Sequence, residues 1–157
     1  MNPRFELAVI VVVVTSACTG VSVSRLPPVD RESALKVSDE FMSDLVGDRV
    51  QDALAKYEPG FVAAMEPAEA ESSVRALFDY CGRPLDSELK HEEVGVVAFP
   101  DGRKKATHQF IYAATTTAHA KGECFFAVTL VSEPGGPRVP NFGPLKLVAG
   151  TLPEWAR

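Results

Sequence analysis

The feature that most constrains the fold is a change of hydrophobic period at Pro84. Before Pro84, apolar residues recur every three or four positions, as in amphipathic helices, and after it they alternate or form β-branched runs. Helices followed by consecutive strands predict an α+β fold, with the helices packed on one face of an antiparallel sheet. The chain of 157 residues is long enough for one domain with a substantial core.

Three helices are predicted before Pro84. The first begins after Asp30, a capping residue, and stops at Gly47, which is expected in a left-handed conformation. The second is short and runs from a capping box at Asp48 to Pro59-Gly60, and the third starts at Pro67. The inward positions of the first helix are Ala34, Val37, Phe41 and Leu45, and those of the third are Ala70, Val74, Leu77, Phe78 and Cys81.

About four strands are predicted after Pro84, joined by turns rich in Pro and Gly. Their ranges are Val94 to Phe99, Lys104 to Thr117, Cys124 to Val131 and Leu145 to Leu152. The first pair forms a hairpin around Pro100-Asp101-Gly102, and a loop at residues 134–137 precedes the last strand. The predicted architecture is three helices on a curved antiparallel meander.

The stretch FMSDLVGDRVQDALAKYEPGF, Phe41 to Phe61, resembles the start of domains of the nuclear-transport-factor-2-like, or cystatin-like, cone fold. It carries an aromatic on the first helix, Gly-Asp, a short second helix, and then Pro and an aromatic. More narrowly, the chain is similar to small bacterial lipoproteins that carry such a domain and have no assigned function. The resemblance implies a curved sheet around an apolar cone that opens to a ligand at one end, and a sheet face that commonly forms dimers.

Residues 1–17 have the layout of a secretory signal peptide, with Arg4, an apolar run from Leu7 to Val14, and small residues before Cys18. The run is shorter than the 20 or so apolar residues that span a membrane. The small residues resemble a bacterial lipobox, which predicts that Cys18 is lipidated and that 19–29 is a tether to a domain over 30–157. Ordinary cleavage near Ala17, or a buried strand of valines, are the alternatives.

Two cysteines, Cys81 and Cys124, remain once Cys18 is assigned to the lipid. An exported chain can oxidise its thiols, so this pair is predicted to form a disulfide, with two free buried thiols as the alternative. A bridge between them places Cys124, Phe126, Val128 and Leu130 on the helix side of their strand, because strand side chains alternate.

Composition excludes one class of partner. The formal net charge is −5, and Arg103, Lys104 and Lys105 form the one short basic cluster, so no nucleic-acid binding is predicted. His91, His108 and His119 show no ligand spacing with the cysteines, and no metal site or cofactor is predicted.

The expected location is the bacterial cell envelope, periplasmic or on the outer surface, with the membrane contacted through the lipid on Cys18.

The candidate site is the cone. His108, Phe110 and Tyr112 share one strand face and are expected to point inward. The predicted lining residues are Phe41, Phe78, Phe110, Tyr112 and Phe126. Both faces of this sheet are apolar, which predicts a homodimer through the outer sheet face.

Two functions follow from different classes. The favoured one is a membrane-tethered, non-catalytic domain that binds a small apolar ligand or a protein partner. The alternative is a small cofactor-free isomerase, dehydratase or hydrolase in which His108 and Tyr112, with Asp79 or Tyr80, act as acid and base. A closed apolar pocket that holds His108 and Tyr112 within hydrogen-bond reach of a carboxylate favours the enzyme. A cone filled by Phe41, Phe78, Phe110 and Phe126 favours the binding domain.

Overall fold

The computed structural model describes residues 26–63, 65–99, 101–145 and 154–156. Four helices precede four strands. The helices are α1 (Arg31–Val46), α2 (Val50–Leu54), α3 (Pro59–Ala63) and α4 (Pro67–Cys81). The strands are β1 (Glu88–Ala98), β2 (Lys104–Ala114), β3 (Cys124–Glu133) and β4 (Gly136–Leu145), and a 3-10 turn covers Glu154–Ala156.

The strands form one open antiparallel sheet in the order β1-β2-β3-β4, with the helices packed on it. The pairing register shifts between Leu89 and His91 and again between Thr129 and Val131, and bulges of this kind bend and twist a sheet. The predicted α+β class is confirmed, and the architecture is consistent with the nuclear-transport-factor-2-like fold.

α1 begins after Asp30 and stops at Gly47, both as predicted, but the predicted conformation of Gly47 is wrong. The Asp30 carboxylate accepts a hydrogen bond of 2.9 Å from the Ser33 backbone N–H. Gly47 has φ of −78°, so the expected left-handed glycine is wrong, and Asp48 takes the positive φ of 58°. Asp48 does not cap α2 either, because its carboxylate accepts a hydrogen bond from Arg75 at 2.9 Å.

Pro59 begins an element that the sequence analysis missed. The segment Pro59–Ala63 forms a further short helix, because Pro is favoured in a first helical turn as well as after a helix end. The predicted second helix is correspondingly shorter and ends at Leu54.

The last strand also differs from its prediction. β4 covers Gly136–Leu145, most of which precedes the predicted range of Leu145 to Leu152, and residues 146–153 lie outside the described chain. The predicted loop at residues 134–137 therefore overlaps the start of the strand, and the strand continues through Pro137, Pro140 and Pro144. As an edge strand, β4 needs N–H donors on one side alone, so it tolerates proline.

The main core lies between the helices and one face of the sheet. It includes Ala34, Phe41 and Leu45 from α1, together with Ala70, Val74, Phe78 and Cys81 from α4. From the sheet it takes Phe110, Tyr112, Cys124, Phe126, Val128 and Leu130. The predicted inward faces of β2 and β3 are therefore confirmed.

A second, smaller cluster lies on the opposite face of the sheet and consists of Ile111, Ala113, Phe125 and Ala127. Trp155 of the 3-10 turn packs on it, with its ring edge-on to Phe125 at 5.5 Å and stacked on His91 at 5.2 Å. The chain's own C-terminal region thus covers part of the outer face for which a partner subunit was predicted.

The predicted signal peptide, Cys18 and most of the tether lie outside the described residues. None of the helices within the described ranges is long and apolar enough to cross a membrane.

Candidate functional site

Aromatic side chains fill the space between the helices and the sheet. The ring of Phe41 packs edge-on against Phe142, with centroids 5.1 Å apart, and Phe126 stacks on Phe142 at 5.7 Å. Phe110 is fully buried, and Phe78 is 9% exposed. The predicted lining residues therefore pack against one another as core, and Phe142 of β4 joins them.

Tyr112 reaches from β2 to α1. Its hydroxyl donates a hydrogen bond to Asp39 Oδ1 at 2.8 Å and lies 2.9 Å from Ser38 Oγ. Burial raises the pKa of Tyr112, and the Asp39 carboxylate raises it further, whereas the Ser38 hydroxyl lowers it. The phenol therefore stays protonated, and it fastens the middle of α1 to the sheet.

His108 lies on the same face, nearer the hairpin end of β2. Its Nε2 is 2.9 Å from Glu92 Oε2, and its ring stacks on Phe110 at 4.6 Å. The same carboxylate accepts hydrogen bonds from Arg31 Nε and Nη2 at 2.8 and 2.9 Å. Those bonds, and to a lesser extent the one from His108, lower the pKa of Glu92.

The structure does not bring the candidate catalytic residues together. Phe110 stands between His108 and Tyr112 on β2, and each of the two has its own carboxylate partner. Asp79 and Tyr80 are exposed at the end of α4, so their predicted convergence in the cone is wrong. Tyr112 instead fastens α1 to the sheet directly, and His108 bonds to Glu92 of β1, which in turn binds Arg31 at the start of α1.

Cys81 and Cys124 lie at disulfide-bonding distance, as predicted, with their Cα atoms 6.1 Å apart. Cys81 ends α4 and Cys124 begins β3, and both side chains are buried. A bridge at this point would hold the last helix to the centre of the sheet.

A groove opens on the surface between α1 and α2, and we call it the α1–α2 groove. It is lined by Asp39, Glu40, Ser43, Asp44, Arg49, Asp52, Ala55 and Lys56. Residues at positions i and i+4 lie on the same side of a helix, so α1 presents Asp39 with Ser43 and Glu40 with Asp44 along one wall. The groove is shallow and mostly charged.

Asp44 is the most deeply buried carboxylate on the α1 wall of the α1–α2 groove. Its carboxylate accepts hydrogen bonds from Arg49 Nη2 at 2.9 Å and from Lys56 Nζ at 2.5 Å. The side chain of Asp44 is 10% exposed, so Arg49 and Lys56 both form ion pairs with a nearly buried carboxylate. Arg49 and Lys56 are therefore engaged in joining α1 to α2.

The remaining carboxylates give the α1–α2 groove its negative character. Glu40 has no ion pair within the described chain, and Asp52 has one at 3.7 Å to Arg49. Asp39 accepts the Tyr112 hydroxyl on Oδ1 and forms no ion pair with another described residue. Tyr112 thus holds Asp39 in a fixed position at the groove wall, where the carboxylate can accept from a cationic donor.

This groove was not predicted, because in the sequence its acidic residues look like an ordinary solvated helix face. A usable signal was the pairing of Ser38-Asp39 on a predicted helix with an inward-facing tyrosine, since a buried Tyr hydroxyl needs a partner. Glu92 was missed as a partner of His108 because the two lie on neighbouring strands, far apart in sequence.

No family model and no curated protein sequence matches this chain. A comparison with solved structures matches Aln2 from a Streptomyces species, with 19% sequence identity and a TM-score of 0.46. The match covers 78% of this chain and 94% of Aln2. The functional proposal therefore rests on the residues of this chain.

Proposed function

We propose that the chain is an exported, lipid-anchored domain of the bacterial cell envelope, without catalysis of its own, which binds a cationic segment of a protein partner in the α1–α2 groove. The observation that carries the proposal is the hydrogen bond from Tyr112 to Asp39. Because of this bond Tyr112, a candidate catalytic residue, instead fixes the position of the Asp39 carboxylate on the surface. Asp39 lines the α1–α2 groove, so the groove is a better candidate binding site than the interior.

The packing of the interior supports a protein partner over a small apolar ligand. Sites for small molecules are concave and mostly apolar. The apolar space between helices and sheet is occupied by Phe41, Phe126 and Phe142. The α1–α2 groove is open and carries four carboxylates against two engaged cations, which suits lysine or arginine side chains of a polypeptide.

The positions of His108 and Tyr112 support the non-catalytic alternative. An acid and a base must both reach one substrate, within about 3 Å of the atoms they serve. Phe110 separates the two side chains, and both are nearly buried, with 7% of His108 and 2% of Tyr112 exposed.

The sequence pattern of residues 1–29 supports the proposed location. A signal peptide over 1–17, lipidation of Cys18 and a Pro-containing tether would place the domain close to the membrane on the exported side. A groove that binds another envelope protein would then be within reach of its partner.

The test is site-specific photo-crosslinking in cells that express the full chain. A photoreactive residue at Ser43, inside the α1–α2 groove, is compared with one at Ser72, which is exposed on α4. We expect Ser43 to capture one defined protein and Ser72 to capture none.

Charge reversal shows whether a captured protein uses the groove. Glu40→Lys should lower the crosslink yield at Ser43 by at least about tenfold, because it turns an attraction into a repulsion. The matched control, Asp79→Lys, makes the same charge change on another exposed helix position. Absence of a crosslink at Ser43, or an equal yield in Glu40→Lys, would refute the proposal.

A further inference from the structure

The two edges of the sheet are protected very differently. The β4 edge carries Pro137, Pro140 and Pro144, which offer no N–H, and the backbone of Val139 is already bonded to Lys56 and Glu58. Within the described ranges, β1 at the other edge pairs with β2 alone. One edge is therefore closed and the other has free backbone groups.

The C-terminal half of β1 lacks the usual protection of an edge strand. Sheets protect their edges with charges, prolines or covering elements, because free strand edges pair with other chains. Residues 94–99 of this chain, VGVVAF, contain no charge and no proline. Val94 is 75% exposed although it lies in the middle of the strand.

We propose that β1 of a second copy of this chain pairs antiparallel with this edge, with Gly95 on the two-fold axis, so that two four-stranded sheets join into one of eight strands. This interface lies at the sheet edge and is separate from both the outer sheet face and the α1–α2 groove. It is also self-complementary, as a two-fold interface must be.

The apolar residues of the edge match one another in this register. With Gly95 opposite the second copy's Gly95, Val94 lies opposite the second copy's Val96, and the same pair recurs on the other side of the axis. Glycine inside a strand weakens it, and often marks a close approach by another backbone. Within its own chain, a Cβ at position 95 would meet one neighbouring atom, Thr107 Oγ1, at 3.2 Å.

In this register, acidic residues of one copy also lie in the same rows as lysines of the other copy. Ala98 pairs with Lys104 and Val97 with Lys105 in the β1–β2 hairpin. In the proposed register Glu92 faces the second copy's Ala98, and Glu93 faces its Val97. Each carboxylate then lies in the same cross-strand row as a lysine of the second copy, two strands away, Glu92 with Lys104 on the helix side and Glu93 with Lys105 on the other. Within its own chain Glu92 also pairs with Arg31, Glu93 with His91 and Lys105 with Glu133, so Lys104 is the lysine of the two rows that has no ion pair within the described residues.

Gly95→Cys tests the axis directly. Directly opposed residues of antiparallel strands have Cα atoms about 4.5–5.5 Å apart, which suits a disulfide. Full-length Gly95→Cys should therefore form a covalent dimer under mild oxidation, as seen on a non-reducing gel. Leu85→Cys, at an exposed position before the start of β1 and far from the proposed axis at Gly95, is the control. Equal crosslinking of the two variants would overturn the proposal.

Sedimentation velocity on the full chain provides a second test, in which folding is checked by circular dichroism. The natural sequence should form a dimer, and Lys104→Glu should raise its Kd about tenfold by placing a carboxylate near Glu92. Lys36→Glu, at an exposed position on α1, should leave the Kd unchanged. A natural chain that is monomeric up to about 100 μM, or a dimer indifferent to Lys104→Glu, contradicts the proposal.

Discussion

Tyr112 and Asp39 are 73 positions apart in the chain and are joined by a hydrogen bond of 2.8 Å between the phenol and the carboxylate. This contact links the core to the surface, because the ring of Tyr112 packs among the apolar residues while Asp39 lines the α1–α2 groove. A residue type that often serves as an acid in an enclosed site is used in this chain to hold a surface carboxylate in place.

Tyr112→Phe should lower the free energy of unfolding by about 1–3 kcal/mol, because it removes a partner from the buried Ser38 hydroxyl and from Asp39. Urea denaturation of Tyr112→Phe, Ser38→Ala and the double variant gives a double-mutant cycle. We expect the two effects to be less than additive. Strict additivity would mean that the two hydroxyls do not interact.

Phe41→Ala should cost about 3–5 kcal/mol of stability, because the ring is fully buried between Tyr57 and Phe142. Leu85→Ala, at an exposed position between α4 and β1, is the control and should change stability by less than about 0.5 kcal/mol. Thermal or urea unfolding measures both. A small loss for Phe41→Ala would indicate that the interior is loosely packed and has room for a ligand.

Glu92 should make stability depend on pH. Arg31, and then His108, lower its pKa below the ordinary 4.5, so the folded chain binds fewer protons than the unfolded chain. The stability that Glu92 contributes is complete above pH 4.5 and is lost as the pH falls through the folded pKa.

Urea denaturation over a series of pH values should therefore show a shallower loss of stability below about pH 5 in Glu92→Gln than in the natural chain. Glu40→Gln, which removes a carboxylate without an ion pair in the described chain, should follow the natural curve. Identical curves for Glu92→Gln and the natural chain would show that the Arg31 contact contributes nothing to folding.

The proposed export predicts that the cysteine pair is oxidised in protein purified from its own cells. Alkylation of the denatured chain without a reductant should leave Cys81 and Cys124 unmodified, and reduction should expose both. The double variant Cys81→Ser with Cys124→Ser should lower the free energy of unfolding by up to about 4 kcal/mol. The reason is that the bridge closes a loop over a separation of 43 positions. Cys18→Ser is the matched control, and free alkylation of Cys81 and Cys124 would contradict the bridge.

The sequence predicted the inward face of the sheet because one assumption, a bridge from Cys81 to Cys124, fixes the alternation of β3. It misplaced β4, since the Pro and Gly residues at 134–137 indicate a loop, and a strand that contains proline is expected only where an edge position is known. It also could not pair His108 with Glu92 or Tyr112 with Asp39, because these contacts depend on strand register and helix placement. The residue types indicate which side chains can form hydrogen bonds, but the sequence does not show which of them are neighbours in the fold.

Native mass spectrometry of the protein isolated from its own membranes tests the central claim, that the interior is filled and recognition occurs on the surface. The mass of each protein chain should equal the polypeptide plus any covalent lipid, before and after denaturation. A stoichiometric small molecule that is released on denaturation would contradict the account, since it would require an open cavity among Phe41, Phe110 and Phe126.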